Sequence, residues 1–494
     1  MRQILSVIFI LNFCIILQVD AKSYPWKKKN PWTDDYSNIS GIENYKSWGT
    51  YNVHDPSCLL IGDTYYMFST DAIYFDRKIN QHKKPDVKPG FIQVRTSKDL
   101  VHWKFEGWAF SEIPQEAKNW VLNNNENKGA TNIWAPYILK YKNKFRLYFC
   151  VSAFGKQTSY IGLAESSSPL GPWEQKGCVV KTKTGDKMNA IDPSIVTNTA
   201  TNEMWMHYGS YFGGLYVVRL NPETGLTMRK NNQGKSTSKR ANGKKDNIEA
   251  PEVIYNPAFK KYYLFTSYDP LMTTYNVRVG RSDFPDGPFY DFYGNDLRDT
   301  INHLPILTHP YRFENHSGWG GTGHCSVFKN DKGDFFMAHQ ARLSPENQLM
   351  DLHVRQIKWT KDGWPVVSPE RFTGSKEINI SQKMMVGEWE IVRINETNSD
   401  RNLEYGQILW GENRLLKTET NLSNKIRFSK NGEIQGDSQG KWKYLKNDLT
   451  VSLGNETIEN LIVFAGHDWE NKTETILFTG LDKNGRSVWG KKIR

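Results

Sequence analysis

The chain has 494 residues, a formal charge of +11, 13% aromatic and 24% charged residues. That length exceeds one ordinary hydrophobic core and predicts two domains. The excess of cations is diffuse apart from Arg229 to Asn247, where seven Lys and Arg face a single Asp246, and no nucleic-acid recognition motif accompanies it, which excludes nucleic acid as a partner.

Residues 1–21 have the order of a secretory signal: Arg2, then the apolar ILSVIFILNFCIIL, then Val19-Asp20-Ala21 as a cleavage site. The apolar run is too short for a membrane span, so secretion without stable membrane insertion is expected. Export permits disulfides, but Cys58, Cys150 and Cys325 lie in predicted strands among hydrophobic residues, and free buried thiols are expected for them; Cys178 completes the four that survive cleavage.

From about residue 45 to about residue 375 one pattern occurs five times: a head dipeptide, a short hydrophobic run, a polar turn and an aromatic strand ending in small residues. The heads are Asp55-Pro56-Ser57, Ala135-Pro136, Asp192-Pro193-Ser194, Ala250-Pro251 and Gly323-His324, and the aromatic strands include YYMFST, FRLYFCVSA, EMWMHYGS, KYYLFTSYD and DFFMAHQAR. A further strand follows in each: FIQVRTS, YIGLAES, LYVVRL, NVRVGRS and HVRQIKW. Five four-stranded units in tandem are what radial β-sheet repetition predicts. No long segment keeps helical periodicity, so the expected fold is all-β, a five-bladed β-propeller over residues 22–380. Within it, Arg229–Asn247, rich in Gly, Ser and Asn, is expected to be a solvated loop without regular structure; ending two residues before Glu249, it could also border a site.

After a linker near Ser375–Met385 the texture changes to GEWEIVRI, YGQILWGENRLL, KIRFSKNGEI, GKWKYLKNDLTVSL, IENLIVFAGHDW, TETILFTGL and RSVWGKKI. Hairpin turns such as Lys430-Asn431-Gly432 join them, and residues 385–494 are expected to form a small closed barrel or a sandwich. Seven Asn-x-Ser/Thr sequons, at Asn38, Asn315, Asn379, Asn395, Asn421, Asn455 and Asn471, are glycan acceptors only in a host that glycosylates exported chains.

In a propeller the first strand of every blade lines the central axis, so the heads converge on one funnel. Asp55 and Asp192 then meet Glu249, which precedes the matching Ala250-Pro251. Glycosidic hydrolysis needs one carboxylate to deprotonate water and one carboxylic acid to protonate the leaving oxygen, and acids crowded together hold one another's protons. Taken singly, each residue has a plainer explanation. Asp-Pro-Ser opens turns, Glu249 could pair with the basic loop, and His324 could be a hydrogen-bonding core histidine, a site-orienting group or a metal ligand. Trp134, with Asn132 and Phe154, is expected to contact sugar, although Trp134 could equally be blade packing.

Val53-His54-Asp55-Pro56-Ser57, Ile133-Trp134-Ala135-Pro136, Ala190-Ile191-Asp192-Pro193-Ser194, Ile248-Glu249-Ala250-Pro251 and Gly323-His324-Cys325-Ser326 resemble, in order, the landmarks of glycoside hydrolase family 43. The opening motif and HVRQIKWTKDGWPVVSPERF from His353 to Phe372 are similar to its endo-α-1,5-L-arabinanase branch, and the C-terminal region resembles the lipocalin-like barrel that follows the propeller in some arabinanases. The resemblance implies inverting hydrolysis of arabinan, with Asp55 as general base, Glu249 as general acid and Asp192 raising and orienting that acid. It also implies a calcium ion at His324, its shell completed by water. Glu252, two residues after Ala250, is the competing glutamate; Glu249 is preferred because it directly precedes the Ala-Pro landmark. An exo-acting arabinofuranosidase or β-xylosidase, or a non-catalytic carbohydrate-binding propeller, is the alternative function, and a monomer is expected.

Overall fold

The computed structural model describes residues 34, 36, 39, 42–72, 90–198, 200–240, 247–299, 301–344, 350–396 and 417–493. The expected signal segment, the predicted strand at 405–416, the sequon at Asn38 and residues 241–246 of the basic stretch lie outside them.

The first repeat forms a four-stranded antiparallel meander of β1 (His54–Ile61), β2 (Thr64–Thr70), β3 (Phe91–Ser97) and β4 (Lys104–Phe110). The second forms β5 (Trp134–Tyr141), β6 (Lys144–Ser152), β7 (Ser159–Ser166) and β8 (Glu174–Thr182). The third contributes β9 (Ser194–Asn198), β10 (Glu203–Gly209), β11 (Leu215–Leu220) and β12 (Lys235–Ser238). The fourth contributes β13 (Ile248–Asn256), β14 (Lys261–Tyr268), β15 (Asn276–Ser282) and β16 (Ile306–Thr308). Two-residue turns such as Gly62-Asp63, with Gly62 at φ 60°, and Lys142-Asn143, with Lys142 at φ 53°, reverse the chain between first and second strands.

The fifth repeat differs from the expected separate sheet. After β17 (Tyr311–Arg312) and β18 (Trp319–Gly320), β19 (Cys325–Lys329), β20 (Phe335–Leu343), β21 (Asp351–Trp359) and β22 (Pro365–Val367) pair in the same meander order. They belong, however, to a seven-stranded sheet, because β18 also pairs with β20 and β17 continues onto a strand of the C-terminal region. The propeller-like region thus has four separate four-stranded sheets, and the fifth repeat is absorbed into a larger one.

Two other expectations are corrected. Lys235–Ser238 of the basic stretch is a strand: Lys235, Ser236 and Ser238 pair with β11, and Thr237 and Ser238 are buried. Arg240 is held by Asp269 and lies over the Tyr268 ring, so it is structural. Two short helices, α1 (Gln115–Asn124) and α2 (Gln382–Met385), interrupt the β pattern among the described residues; in α1, Ala117 and Val121, four residues apart, bury the inner face on the second sheet.

Beyond Met385 the chain runs through β23 (Gly387–Arg393), β24 (Asn421–Leu422), β25 (Asn424–Phe428), β26 (Glu433–Gly436), β27 (Gly440–Leu445), β28 (Asp448–Leu453), β29 (Glu456–Asp468), β30 (Thr473–Leu481) and β31 (Ser487–Lys492). All but β24 close into an eight-stranded barrel. Side chains fill its interior: Trp389 packs on Phe428 and Phe478, and Phe428 stacks on Trp442 with ring centroids 5.1 Å apart, as a barrel of this size allows. The free, largely buried cysteines match expectation. Asn421 is buried and its amide donates to the Pro310 carbonyl, which rules this sequon out as an acceptor in the folded protein. Among the described residues no helix is long and apolar enough to cross a membrane.

Barrel and propeller-like region share one core. Trp489 lies edge-on to Tyr311 at 5.2 Å within a cluster that includes Val277, Trp319 and Trp364. Beside it, fully buried Lys491 meets Glu370 at 2.9 Å, Asp468 at 3.0 Å, and Glu470. Burial and the neighbouring Glu470 push Glu370 well above the carboxylate range, whereas the Lys491 charge overcomes burial and holds Glu470 at about 2. Lys491→Met leaves these acids without their cation, and a loss of about 3–5 kcal/mol is expected, measured as a lower denaturant midpoint; an unchanged midpoint would show the network to be dispensable.

Candidate active site

The five inner strands begin with the same backbone device. Asp55, Ala135, Asp192, Ala250 and His324 have φ of 48°, 41°, 56°, 54° and 48°, in the left-handed region that costs a non-glycine residue about 1–3 kcal/mol. Register shifts between His54 and Ser57, Trp134 and Tyr137, and Glu249 and Glu252 mark a β-bulge there, which re-aims side chains at the strand's entry. Proline follows four of the five heads, so the bulge leaves no N–H without a partner at that position.

Two residues after each head, a side chain ties its inner strand to a neighbouring one. Ser57 Oγ accepts from Ile138 N at 3.1 Å, Tyr137 donates to Ile195 O at 2.8 Å, and Ser194 Oγ accepts from Val253 N at 3.1 Å. Glu252 Oε1 accepts from Val327 N at 2.9 Å, and Ser326 Oγ accepts from Cys58 N at 3.1 Å, returning to the first strand. The heads therefore converge, although the outermost two are separated by more than half the chain.

Asp55 sits at this convergence with both oxygens engaged: Thr70 donates to Oδ2 at 2.7 Å and His324 Nδ1 lies 2.9 Å from Oδ1. Burial alone would raise its pKa, but the His324 charge and these hydrogen bonds hold it at about 2. His324, opposed by burial, is correspondingly lifted to about 9 by the Asp55 charge and hydrogen bond. Asp192 accepts from Ala250 N at 3.2 Å; burial, reinforced by the Glu249 and Asp55 charges, pushes it well above the usual range. Glu249 accepts from Ser210 at 2.9 Å and is raised by burial and by Asp55. One carboxylate is thus held ionised and two are held toward the neutral form in one place, the division that acid-base chemistry needs.

The structure brings Asp55, Asp192, Glu249 and His324 together. Asp55 and Asp192 are heads, but Glu249 lies one residue earlier, in the register of His54 and Trp134. It pairs with no cation of the basic stretch among the described residues. Trp134 and Phe154 also meet, edge-on at 6.0 Å, lining a cavity of 290 Å³ with Ser152, Ala153 and Lys156. Asn132 does not join them as expected: it is 1% exposed, its amide donates to Asp71 O at 2.8 Å and its oxygen accepts from Ile133 N at 2.8 Å, so it braces the backbone.

For calcium the donor chemistry is sparse. His324 offers one imidazole whose Nδ1 faces Asp55, leaving Nε2, whereas calcium takes six to eight oxygens. Water would have to supply nearly all of a shell there. The three-carboxylate group found among the described residues, Glu370, Asp468 and Glu470, already encloses Lys491 in place of a metal.

Sequence reasoning missed the residues that support these groups: Thr70, Ser210, Ser267, Gln340 and Arg342, the last buried and within reach of the Asp55 charge. Gly323 also has a steric role, because a Cβ there would lie 2.3 Å from the Tyr275 ring.

Residues 49–365 match Glycosyl hydrolases family 43, and residues 369–490 match a C-terminal lipocalin-like domain. The chain belongs to glycosyl hydrolases family 43. It is 26% identical over 489 residues to an extracellular endo-α-(1→5)-L-arabinanase of Thermotoga petrophila, covering 89% of this chain and 93% of that protein. It is 32% identical over 334 residues to an extracellular exo-α-(1→5)-L-arabinofuranosidase of Cellvibrio japonicus, covering 64% of this chain and 86% of that one. The crystal structure of the Thermotoga petrophila RKU-1 endo-1,5-α-L-arabinanase superposes with a TM-score of 0.74 at 25% identity, over 90% of this chain and 99% of that chain.

Glu252 is distinguished from Glu249 by its partners. It is buried, accepts from Ser194 at 2.8 Å and from Val327 N, and burial raises it from 4.5 to about 7. Between these values the folded chain keeps a proton that the unfolded chain has released, so stability falls as pH rises from about 4.5 to about 7, by on the order of 3 kcal/mol. Glu252→Gln is expected to flatten that part of the stability curve and to leave hydrolysis within about threefold of the parent, below the loss typical of an acid-base group; melting curves across the pH range and turnover measurements check both.

Proposed function

We propose that this chain is a secreted, inverting endo-hydrolase of α-1,5-linked L-arabinan, acting as a monomer on a five-bladed propeller whose fifth blade is β19–β22. The observation that carries the proposal is the convergence of three acids with unequal partners: Asp55 bonded to both Thr70 and His324, Asp192 to a backbone amide and Glu249 to Ser210. Ionised Asp55 takes a proton from the attacking water as that water bonds to the anomeric carbon. Glu249, kept protonated by its burial and by the Asp55 charge, gives its proton to the departing glycosidic oxygen, and Asp192 beside it orients that acid. Inversion requires a base-to-acid separation of roughly 6.5–9.5 Å, room for that water. Trp134 and exposed Phe154 offer an aromatic edge for a sugar ring beside the site. The family match, the endo-acting relatives and their extracellular descriptions support substrate and location.

Asp55→Ala and Glu249→Ala are each expected to lower turnover of linear arabinan by about 100-fold or more. Their rescue differs by role: azide, which needs no deprotonation, restores the first, and an aryl arabinofuranoside with an acidic leaving group, which needs no protonation, restores the second. Early release of mixed oligosaccharides supports internal cutting, whereas monosaccharide alone would favour the exo action named for the Cellvibrio relative. Near-parental turnover by either variant would remove the assignment.

We further propose that His324 Nε2 holds a calcium ion within a largely aqueous shell. When bound, the ion supplies positive charge at the site, in place of the proton on the imidazole. Calorimetric titration with calcium is expected to give a binding isotherm for the parent and none for His324→Ala; equal isotherms would refute His324 as its ligand.

A further inference from the structure

The left-handed heads create a second requirement: each head N–H points out of its own sheet and needs an acceptor. Four of the five are met by a side chain on the second strand of the preceding repeat, at the position opposite the residue before that repeat's head. Asp55 N donates to Gln340 Oε1 at 2.9 Å, Ala135 N to Thr70 Oγ1 at 2.8 Å, Asp192 N to Cys150 Sγ at 3.2 Å and His324 N to Ser267 Oγ at 2.8 Å. The register confirms the equivalence, since Thr70 faces His54, Cys150 faces Trp134 and Ser267 faces Glu249, while Gln340 N bonds Gly323 O. In the third repeat the corresponding residue is Gly209, whose N–H bonds Ile191 O. Lacking a side chain, it leaves Ala250 N to the Asp192 carboxylate.

Thr70 differs from the other acceptors in where its own proton goes: Cys150 donates to the carbonyl of Ala135 at 3.8 Å, whereas Thr70 donates to the carboxylate of a head, Asp55. The Thr70 oxygen receives the Ala135 N–H, so its single proton is directed to Asp55 Oδ2 at 2.7 Å. Thr70 is 4% exposed and Ala135 2%, so water does not compete for the bond between them. We infer that Thr70 is the positioning residue for the catalytic base: the amide of the second repeat's head fixes the polarity of the Thr70 hydroxyl, and that hydroxyl fixes the Asp55 carboxylate. The inference rests on Asp55 being the base.

Thr70→Val, Thr70→Ser and Thr70→Cys separate this role from packing. Valine removes both bonds, serine keeps both, and cysteine keeps an acceptor for the amide, as Cys150 does in the second repeat, while offering only a weak donor to Asp55. With linear arabinan, Thr70→Val and Thr70→Cys are expected to lower kcat by about 10- to 100-fold, as misplacement of a reacting group does, with KM within about twofold, and Thr70→Ser to restore kcat to within about threefold of the parent. Ser57→Ala, which orphans the Ile138 amide on the same inner strand without touching Asp55, is expected to lower the melting temperature and leave kcat unchanged.

Should Thr70→Val fail to fold, the cysteine and serine variants still decide the matter. A Thr70→Cys enzyme with parental kcat, or a Thr70→Ser enzyme as impaired as the other two, would overturn the inference while leaving the Asp55 assignment intact. Azide-insensitive, near-parental turnover by Asp55→Ala would instead remove the assignment on which it rests.

Discussion

The left-handed backbone at the five inner-strand heads is the constraint on which the rest of the site depends. A non-glycine residue there is strained, and its amide is turned away from its own ladder, so it persists only where the surroundings supply an acceptor. The preceding repeat supplies it, through Thr70, Cys150, Asp192, Ser267 and Gln340. Every head is consequently positioned by its neighbour, and the ring of inner strands is cooperative in a literal sense: no repeat completes its own entry geometry.

The same scaffold position then yields opposite electrostatics according to its partners. Asp55 and Asp192 share a backbone conformation and a following proline, yet one is held at about 2 and the other is pushed up. Asp55 has a cationic imidazole and a hydroxyl donor on its two oxygens, enough to overcome burial. Asp192 has one backbone amide on Oδ2 and two acidic neighbours, which is not enough. Two aspartates in identical tripeptides are therefore given different protonation states by side chains from other repeats.

That division explains what the sequence revealed and what it concealed. Period-two hydrophobic runs and turn residues locate most strands, and the recurring heads locate Asp55, Asp192, Glu249 and His324, because these signals are local or repeat in register. Asn132 was misjudged because it stands two residues before Trp134 in the sequence, whereas its side chain is tied to Asp71, 61 residues earlier. Thr70, Ser210 and Ser267 stood in plain view as the small residues that end the aromatic strands; only contacts between repeats show that their hydroxyls face the heads. The union of the fifth repeat with β17, β18 and β24 depends on a pairing between Tyr311 and Asn421, which no local pattern encodes.

This union also indicates what the C-terminal barrel contributes. Its interior is packed with Trp389, Phe428, Trp442 and Phe478, and a cavity of 490 Å³ lies beside them against Ile391, Arg393, Ile426 and Leu453. Its outer surface is continuous with the fifth repeat: Trp489 packs on Tyr311, the Arg355 guanidinium bridges Tyr311 and the carbonyls of Ser368 and Pro369, and Ser487 donates to Ile306 O at 2.7 Å. The fifth repeat carries His324 and Gln340, which fix the charge and the backbone of Asp55. A barrel welded to that repeat braces the sector of the ring from which Asp55 takes both its imidazole partner and its amide acceptor.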